Sequence, residues 1–190
     1  MKFPIGNTLG LMAATAMLSG VAFAANHGSA APNGSMSHIE GNAELLQPIN
    51  IKSAAQGQAV TLKLTSTIQT PAGNKLPSGT ELIGQIASVT PNAENAPATL
   101  ALTFDQARLK DGKTLAIHAT LIGIAPAGTD LSPNDNIQPD SVFEQEPGAI
   151  GGVSLRGDMQ EALSGTLTDT RHNLKLNIGT EFLVAVRDNI

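Results

Sequence analysis

The chain has 190 residues, of which 41% are apolar and 14% charged, with a formal net charge of −5 and no cysteine. This length suits one domain or two small ones, and the missing cysteines exclude disulfides, thiolate metal sites, a cysteine nucleophile and a lipid-modified N-terminal cysteine. Aromatic residues make up 3%, all of them Phe, which leaves little surface for stacking nucleobases. Together with an acidic pI of about 5.2, this composition argues against a nucleic-acid partner.

The N-terminus has the pattern of a secretory signal peptide. Lys2 precedes a mostly apolar stretch over residues 9–21, and Ala22-Phe23-Ala24 forms an A-x-A cleavage sequence. That stretch is shorter than the ~18 to 20 residues of a spanning helix, and no later segment is apolar enough to serve as one. We therefore expect residues 1–24 to be a cleaved signal peptide, the mature chain to be periplasmic or secreted, and no transmembrane segment to remain after cleavage.

The next segment is predicted to be a flexible leader. Its residues, most clearly over 25–43, are small, polar and glycine-containing, and they bury too little apolar surface to offset the entropy of ordering them. We expect this leader to cover 25–56 and a β domain to cover 57–190. Within that domain, apolar residues recur at every second position in several runs, which is typical of half-buried strands. These runs lie near residues 58–68, 80–89, 99–109, 115–121, 174–178 and 182–187.

Two local features refine the strand pattern. The alternation changes phase between Phe104 and Leu109, and a β-bulge near Asp105 to Ala107 would explain this, because one extra residue moves later side chains to the other face. Asp111-Gly112 between two alternating runs predicts a hairpin with a type I′ turn, which has positive φ at both central positions. On the return strand, His118 is expected on a polar, exposed face.

Residues 125–172 are rich in Pro, Gly, Ser, Asp and Asn and are predicted to form a long loop. Between positions 129 and 148 there are five acidic residues and no Lys, Arg or His; Asp130, Asp135 and Asp140 are candidate oxygen ligands for calcium. Their spacing is not that of an EF-hand, so we expect a disordered, solvated acidic loop, with calcium binding as the alternative. Farther along, Arg156-Gly157-Asp158 spells a tripeptide known for adhesion to animal cells.

A short pattern occurs twice in the chain. The order Leu-x-x-Gly-Thr-Glu followed by two apolar residues begins at Leu76 and again at Leu176. It predicts a strand, a glycine in a conformation that other residues resist, and a second strand leaving at a new angle. Chance similarity is the alternative, since turn segments draw on few residue types.

Taken in order, these segments resemble the C-terminal β-barrel domain of the TrbI-like family, the barrel subunit of the conjugation and type IV secretion core complex. The likeness rests on residues 76–86 (LPSGTELIGQI), 100–104, 110–117 (KDGKTLAI) and 176–186. It implies a small antiparallel barrel-like or sandwich domain and an envelope location, and it supplies no catalytic residue. Family members also carry an inner-membrane helix and a helical pair inserted in the barrel, and residues 125–172 contain no apolar helix of that kind.

No residue pattern points to catalysis. A Gly-x-Ser-x-Gly elbow, a P-loop and a dinucleotide fingerprint are all missing from the sequence, so we expect no enzyme activity and no cofactor. The sequence therefore predicts an all-β, exported structural or interaction module whose strand edges or polar faces contact a protein partner or a second copy. A small ligand- or calcium-binding β domain is the alternative.

Overall fold

The computed structural model of the chain describes residues 39–94, 96–131 and 141–188; the expected signal peptide and residues 25–38 lie outside these ranges. Within them the chain forms thirteen strands and no helix. The described residues therefore include no helix with the length and apolar character to cross a bilayer. The strands are β1 (Ile39–Leu45), β2 (Ile49–Asn50), β3 (Ala59–Leu64), β4 (Ile68–Gln69), β5 (Lys75–Leu76), β6 (Glu81–Thr90), β7 (Ala98–Arg108), β8 (Thr114–Ala125), β9 (Val142–Ile150), β10 (Val153–Asp158), β11 (Gly165–Asp169), β12 (Lys175–Leu176) and β13 (Glu181–Asp188).

Six of the strands close into an antiparallel barrel, which confirms the prediction of an all-β, barrel-like fold. Around the ring the order is β6, β3, β1, β13, β8 and β7, and β7 pairs back onto β6. Strands β11, β10 and β9 extend the sheet from β7, and two short pairs, β2 with β12 and β4 with β5, lie apart from it. Closure pairs each of the six barrel strands with a neighbour on both sides over at least part of its length, which reduces the free sheet edge that promotes aggregation.

The interior of the barrel is filled by side chains. Phe104 and Phe182 are fully buried, together with Leu62, Leu82 and Leu121 from neighbouring strands. Small barrels pack their interiors in this way because alternate residues of every strand point inward. The barrel is therefore a solid support, and the surfaces available for contact lie outside it.

The prediction of a flexible leader is wrong from residue 39 onward. Strand β1 pairs with β13 on one side and with β3 on the other, so it is part of the ring. Two of its inward positions are small residues, Gly41 and Ala43, and a Cβ atom built on Gly41 would lie 2.3 Å from Cγ2 of Ile68. Close packing requires glycine at position 41, and this glycine in turn makes the composition of the segment resemble that of a loop.

The bulge predicted near Asp105 is confirmed. Ile83 of β6 lies opposite Gln106 of β7, whereas the next residue, Gly84, lies opposite Phe104. Asp105 is thus the extra residue on β7. This one-residue shift keeps Phe104 and Ala107 both buried in the core.

The hairpin between β7 and β8 is present, but its turn is not of type I′. The N–H of Leu109 donates to the carbonyl of Lys113 at 2.8 Å, and the N–H of Gly112 donates to the carbonyl of Leu109 at 2.9 Å. Three residues, 110–112, therefore form the loop. Gly112 takes a positive φ of 85° at its end, as expected for a three-residue hairpin loop that closes on glycine.

The two copies of the Leu-x-x-Gly-Thr-Glu pattern form matching corners, as predicted. We call residues 76–81 the first corner and residues 176–181 the second corner. Gly79 and Gly179 have φ angles of 85° and 77°, and in each copy a strand begins at the Glu. The backbone bonds also match, with Gly79 N–H to Leu64 O at 2.7 Å and Leu64 N–H to Thr80 O at 2.9 Å in the first, and Gly179 N–H to Leu45 O at 2.8 Å and Leu45 N–H to Thr180 O at 2.9 Å in the second.

The corners differ in how the chain connects them. In the first corner Leu76 lies opposite Ile68, and β4 and β5 are joined by a short turn. In the second corner Leu176 lies opposite Ile49, so the equivalent pair, β2 and β12, joins segments far apart in sequence. The barrel therefore has an internal two-fold repeat with different connections.

Candidate functional site

Three strands occupy most of the described part of the interval predicted to be a long loop. Strands β9, β10 and β11, which we call the leaf, pair side by side, and β11 pairs with β7. The loop prediction for 125–172 is wrong for these residues, whereas 132–140 lie outside the described ranges. Val153, Leu155 and Leu167 alternate with polar residues, which is the two-residue period that could have identified the leaf from sequence.

The leaf starts where β7 and β8 separate. Strand β8 pairs with β7 only near the hairpin, and β11 takes over the same edge of β7 farther along. Ser164 lies in this fork and is fully buried. Its N–H donates to Leu102 O at 2.8 Å, its Oγ accepts from Phe104 N at 2.7 Å, and its carbonyl accepts from Leu121 N at 2.7 Å. One residue thus ties the leaf to both barrel strands.

A glutamine side chain fixes the opposite side of the leaf to β8. The Oε1 atom of Gln145 accepts from Ile124 N at 2.7 Å, and its Nε2 donates to Ile124 O at 2.8 Å. This amide therefore satisfies both backbone groups of Ile124, as a neighbouring strand would. Close by, a Cβ atom on Gly157 would lie 2.0 Å from Leu121 O, so β10 can approach β8 this closely only with glycine there.

The inner side of the leaf packs on the outer face of β8 and β13. Ile122, Met159, Leu183 and Ala185 form a second buried apolar cluster, with Leu131 and Phe143 packed against it. The leaf is therefore held by apolar burial as well as by hydrogen bonds. Its other face points away from the barrel.

A cleft of about 330 Å³ crosses the outward face of the leaf. It lies beside an irregularity between β9 and β10, where Val153 pairs with Ile150 but Leu155 pairs with Gln145, so that extra β9 residues bulge away from β10. Bulges of this kind re-aim side chains and are common beside functional sites. Hydroxyl, carboxylate and guanidinium groups line the cleft, from Ser154, Thr166, Thr168, Glu144, Glu146 and Arg156.

One guanidinium in the cleft is shared among three carboxylates. Nitrogen atoms of Arg156 lie 3.8 Å from Glu144 Oε1, 3.6 Å from Asp158 Oδ2 and 3.3 Å from Glu161 Oε1. The Arg156-Gly157-Asp158 tripeptide is thus part of a strand, and its Arg and Asp side chains form an ion pair with each other. A receptor that reads this tripeptide on a projecting loop would not find it displayed here.

The described structure includes only one of the three calcium candidates. Asp130 is exposed, and its Oδ1 accepts from Asn42 Nδ2 at 3.3 Å. Asp135 and Asp140 lie outside the described ranges. In the ranges that are described, no three His, Asp or Glu side chains are grouped as a metal site. Calcium binding at these positions stays a prediction.

His118 is buried rather than exposed, contrary to the sequence-based expectation. It lies on the outer face of β8 at 9% exposure, directly opposite Arg187 of β13. Burial first, and the positive charge of Arg187 second, lower the pKa of His118 to about 4. The imidazole is therefore neutral at neutral pH, and its Nε2 has no hydrogen-bond partner among the described residues.

No family model matches the chain, and no curated protein is significantly similar to it.

Proposed function

We propose that the chain is an exported, non-catalytic contact module, in which the barrel supports the leaf and the outward face of the leaf binds a protein partner in the cell envelope. The observation that carries this proposal is the cleft on a leaf fixed to a filled barrel. A contact surface needs rigid backing, and Ser164, Gln145 and the second apolar cluster supply it.

Two features of the sequence support the envelope location. The N-terminal segment has the n-region, apolar stretch and A-x-A sequence of a cleaved signal peptide. The order of barrel segments resembles the TrbI-like family of secretion core complexes. In that resemblance the leaf occupies the interval in which family members insert a helical pair, so three strands take the place of a membrane-crossing element.

Site-specific photocrosslinking in cells that express the full chain tests this function. A photoreactive amino acid is placed at Thr166, inside the cleft, and in a matched variant at Gln85, an exposed position on β6. We expect a discrete covalent adduct with the same partner from Thr166 and from Thr168, no such adduct from Gln85, and a mature N-terminus at Ala25 by mass spectrometry. Equal labelling at Gln85, or no adduct from either cleft position, would contradict the contact role.

A further inference from the structure

The outward face of the leaf carries more negative than positive charge. Four carboxylates, from Glu144, Glu146, Asp158 and Glu161, surround the single guanidinium of Arg156. Arg156 already lies within 4 Å of three of these carboxylates, which leaves it little capacity to attract an anion. Glu146 has no cationic partner in the described part of the chain, although it lines the cleft. The face is therefore complementary to a positively charged ligand.

The shape of the cleft favours an extended ligand. It spans all three strands of the leaf, and the hydroxyl groups of Thr166 and Thr168 can donate to or accept from a peptide backbone that crosses them. The hydroxyl of Ser154 donates to Thr168 O at 3.3 Å and can still accept. Its volume of about 330 Å³ is close to the lower end of the range of ligand pockets, which accommodates one or two side chains rather than a folded domain.

The edge of the leaf is a less favourable binding position for a partner segment than its outward face. Strand β9 is the last strand of the sheet, and no described strand pairs with its outer edge. Pro147 lies within β9 and lacks the N–H that a ladder would need, while Glu144 and Glu146 place charge along the same strand. Proline and charge on an edge strand oppose strand addition. The ligand therefore lies across the face.

We propose that the leaf cleft binds an extended, lysine- or arginine-containing segment of a partner protein, with Glu144 and Glu146 receiving its cationic side chains. This inference rests on the proposed contact function and names the chemistry of the partner. Arg156 then acts as an internal counter-ion that holds Glu144 in place and leaves Glu146 for the ligand.

Binding of fluorescent octalysine to the full mature chain, followed by anisotropy at low ionic strength, tests the proposal. The variant Glu144→Gln/Glu146→Gln keeps the shape of both side chains and removes both charges. The matched control, Asp105→Asn/Asp111→Asn, removes two exposed carboxylates beyond the part of β7 that pairs with β11. We expect the cleft variant to weaken binding about three- to tenfold, because each exposed charge pair contributes about 0.2 to 1 kcal/mol. We expect the control to change binding less than about twofold.

Three results would overturn the proposal: octaglutamate binding as tightly as octalysine, the cleft variant binding like the wild type, or the control weakening binding as much as the cleft variant. The last would mean that octalysine senses only the net charge of the chain. Thermal melts of both variants at neutral pH show whether each is folded. If adducts form at Thr166 and octalysine does not bind, the contact function stands and the cationic chemistry of the partner is wrong.

Discussion

The first corner and the second corner have the same backbone but different electrostatic surroundings. In the first, Glu81 lies opposite Lys63 on one side and opposite Arg108 on the other, and forms an ion pair with Arg108. In the second, Glu181 lies opposite Glu44 and an alanine. The matching hydrogen bonds of the two corners show that the same turn forms whichever charges surround its Glu.

The surroundings change the proton affinity of the second-corner glutamate. Burial, the neighbouring Glu44 and, more weakly, Asp130 raise the pKa of Glu181, against a hydrogen bond from the backbone of Gly128. The ionised carboxylate is therefore unfavourable in the folded state. The comparison shows that the two corners share a backbone while the residues around them differ. Four tests, from the largest expected effect to the smallest, measure how far the two corners are equivalent.

The largest effects are expected from the leucines that begin the corners. Leu76 and Leu176 are both fully buried, so replacing either by Ala leaves a cavity and is expected to lower the free energy of unfolding by about 2 to 5 kcal/mol. If the corners are equivalent in packing, the two losses differ by less than about 1 kcal/mol in urea denaturation. Ile178→Ala is the control, because Ile178 is 63% exposed and its loss should have little effect. A loss confined to one of the two leucine variants would show that the corners do not pack alike.

A carboxylate holds the turn between β4 and β5, which leads into the first corner. Asp188 accepts from Thr70 Oγ1 at 2.8 Å, Asn74 Nδ2 at 2.8 Å and Ala72 N at 2.9 Å. Burial opposes ionisation, but these bonds together lower the pKa of Asp188. Asp188→Asn is expected to lose about 1 to 2 kcal/mol at neutral pH, because the amide Oδ1 can still accept from Thr70 and Asn74 while the negative charge and the bond from Ala72 N are lost.

The pH dependence of this variant follows from the lowered pKa. The stabilisation by Asp188 is complete above the unfolded pKa near 3.8 and is lost as pH falls through the lower folded value. Melting curves of wild type and variant should therefore converge at low pH. A difference in stability that does not change with pH would exclude the carboxylate charge as its cause.

Replacing the threonine of each corner by valine should change the stability in opposite directions. Thr180 Oγ1 donates to Asn177 O at 2.8 Å, whereas Thr80 Oγ1 is buried and has no partner among the described residues. Thr180→Val is expected to destabilise by about 1 kcal/mol through the lost hydrogen bond, and Thr80→Val to be neutral or to stabilise by up to about 1 kcal/mol. Equal losses measured in urea would mean that both hydroxyl groups are bonded.

The smallest effects concern the glutamates. Glu81→Gln breaks the ion pair with Arg108 and is expected to lower the free energy of unfolding by less than about 1 kcal/mol, with a small fall in melting temperature. Glu181→Gln is expected to raise it at pH 7, because a raised folded pKa means that stability is lost as pH rises through that value. The gain should disappear well below the usual glutamate pKa of 4.5. Thermal melts at pH 3 and pH 7 distinguish the two variants. Melting temperatures that shift in the same direction at pH 7 would show that the two glutamates do not differ in their electrostatic surroundings.

Sequence patterns were sufficient to predict strands in which apolar and polar residues alternate regularly. Strands β3, β6, β7 and β8, the bulge at Asp105 and both corners follow from alternation and from glycine placement. Strand β1 could not be predicted, because Gly41 is selected by a 2.3 Å approach to Ile68, a constraint that appears only when distant segments meet. The leaf was missed although Val153, Leu155 and Leu167 alternate with polar residues, because Gly157 and its polar neighbours also give the segment a composition typical of loops.

The candidate site was less predictable than the fold. A cleft formed by a bulge depends on register between β9 and β10, and sequence composition does not encode register directly. The burial of His118 depends on strands that are distant in sequence. Only the excess of acidic residues between positions 129 and 148 gave an early indication of the character of the leaf.

The pairing of β1 with β13 has a consequence for how the chain matures. The ring needs the pairing of Ile39 with Val186, so the closed barrel cannot form until β13 has been synthesised. Such a non-local closure is slow to form, because the conformational entropy of a long loop must be lost before its contacts stabilise the fold. Until β13 is in place, β1 has a neighbour only on its β3 side, and the incomplete ring keeps a free strand edge.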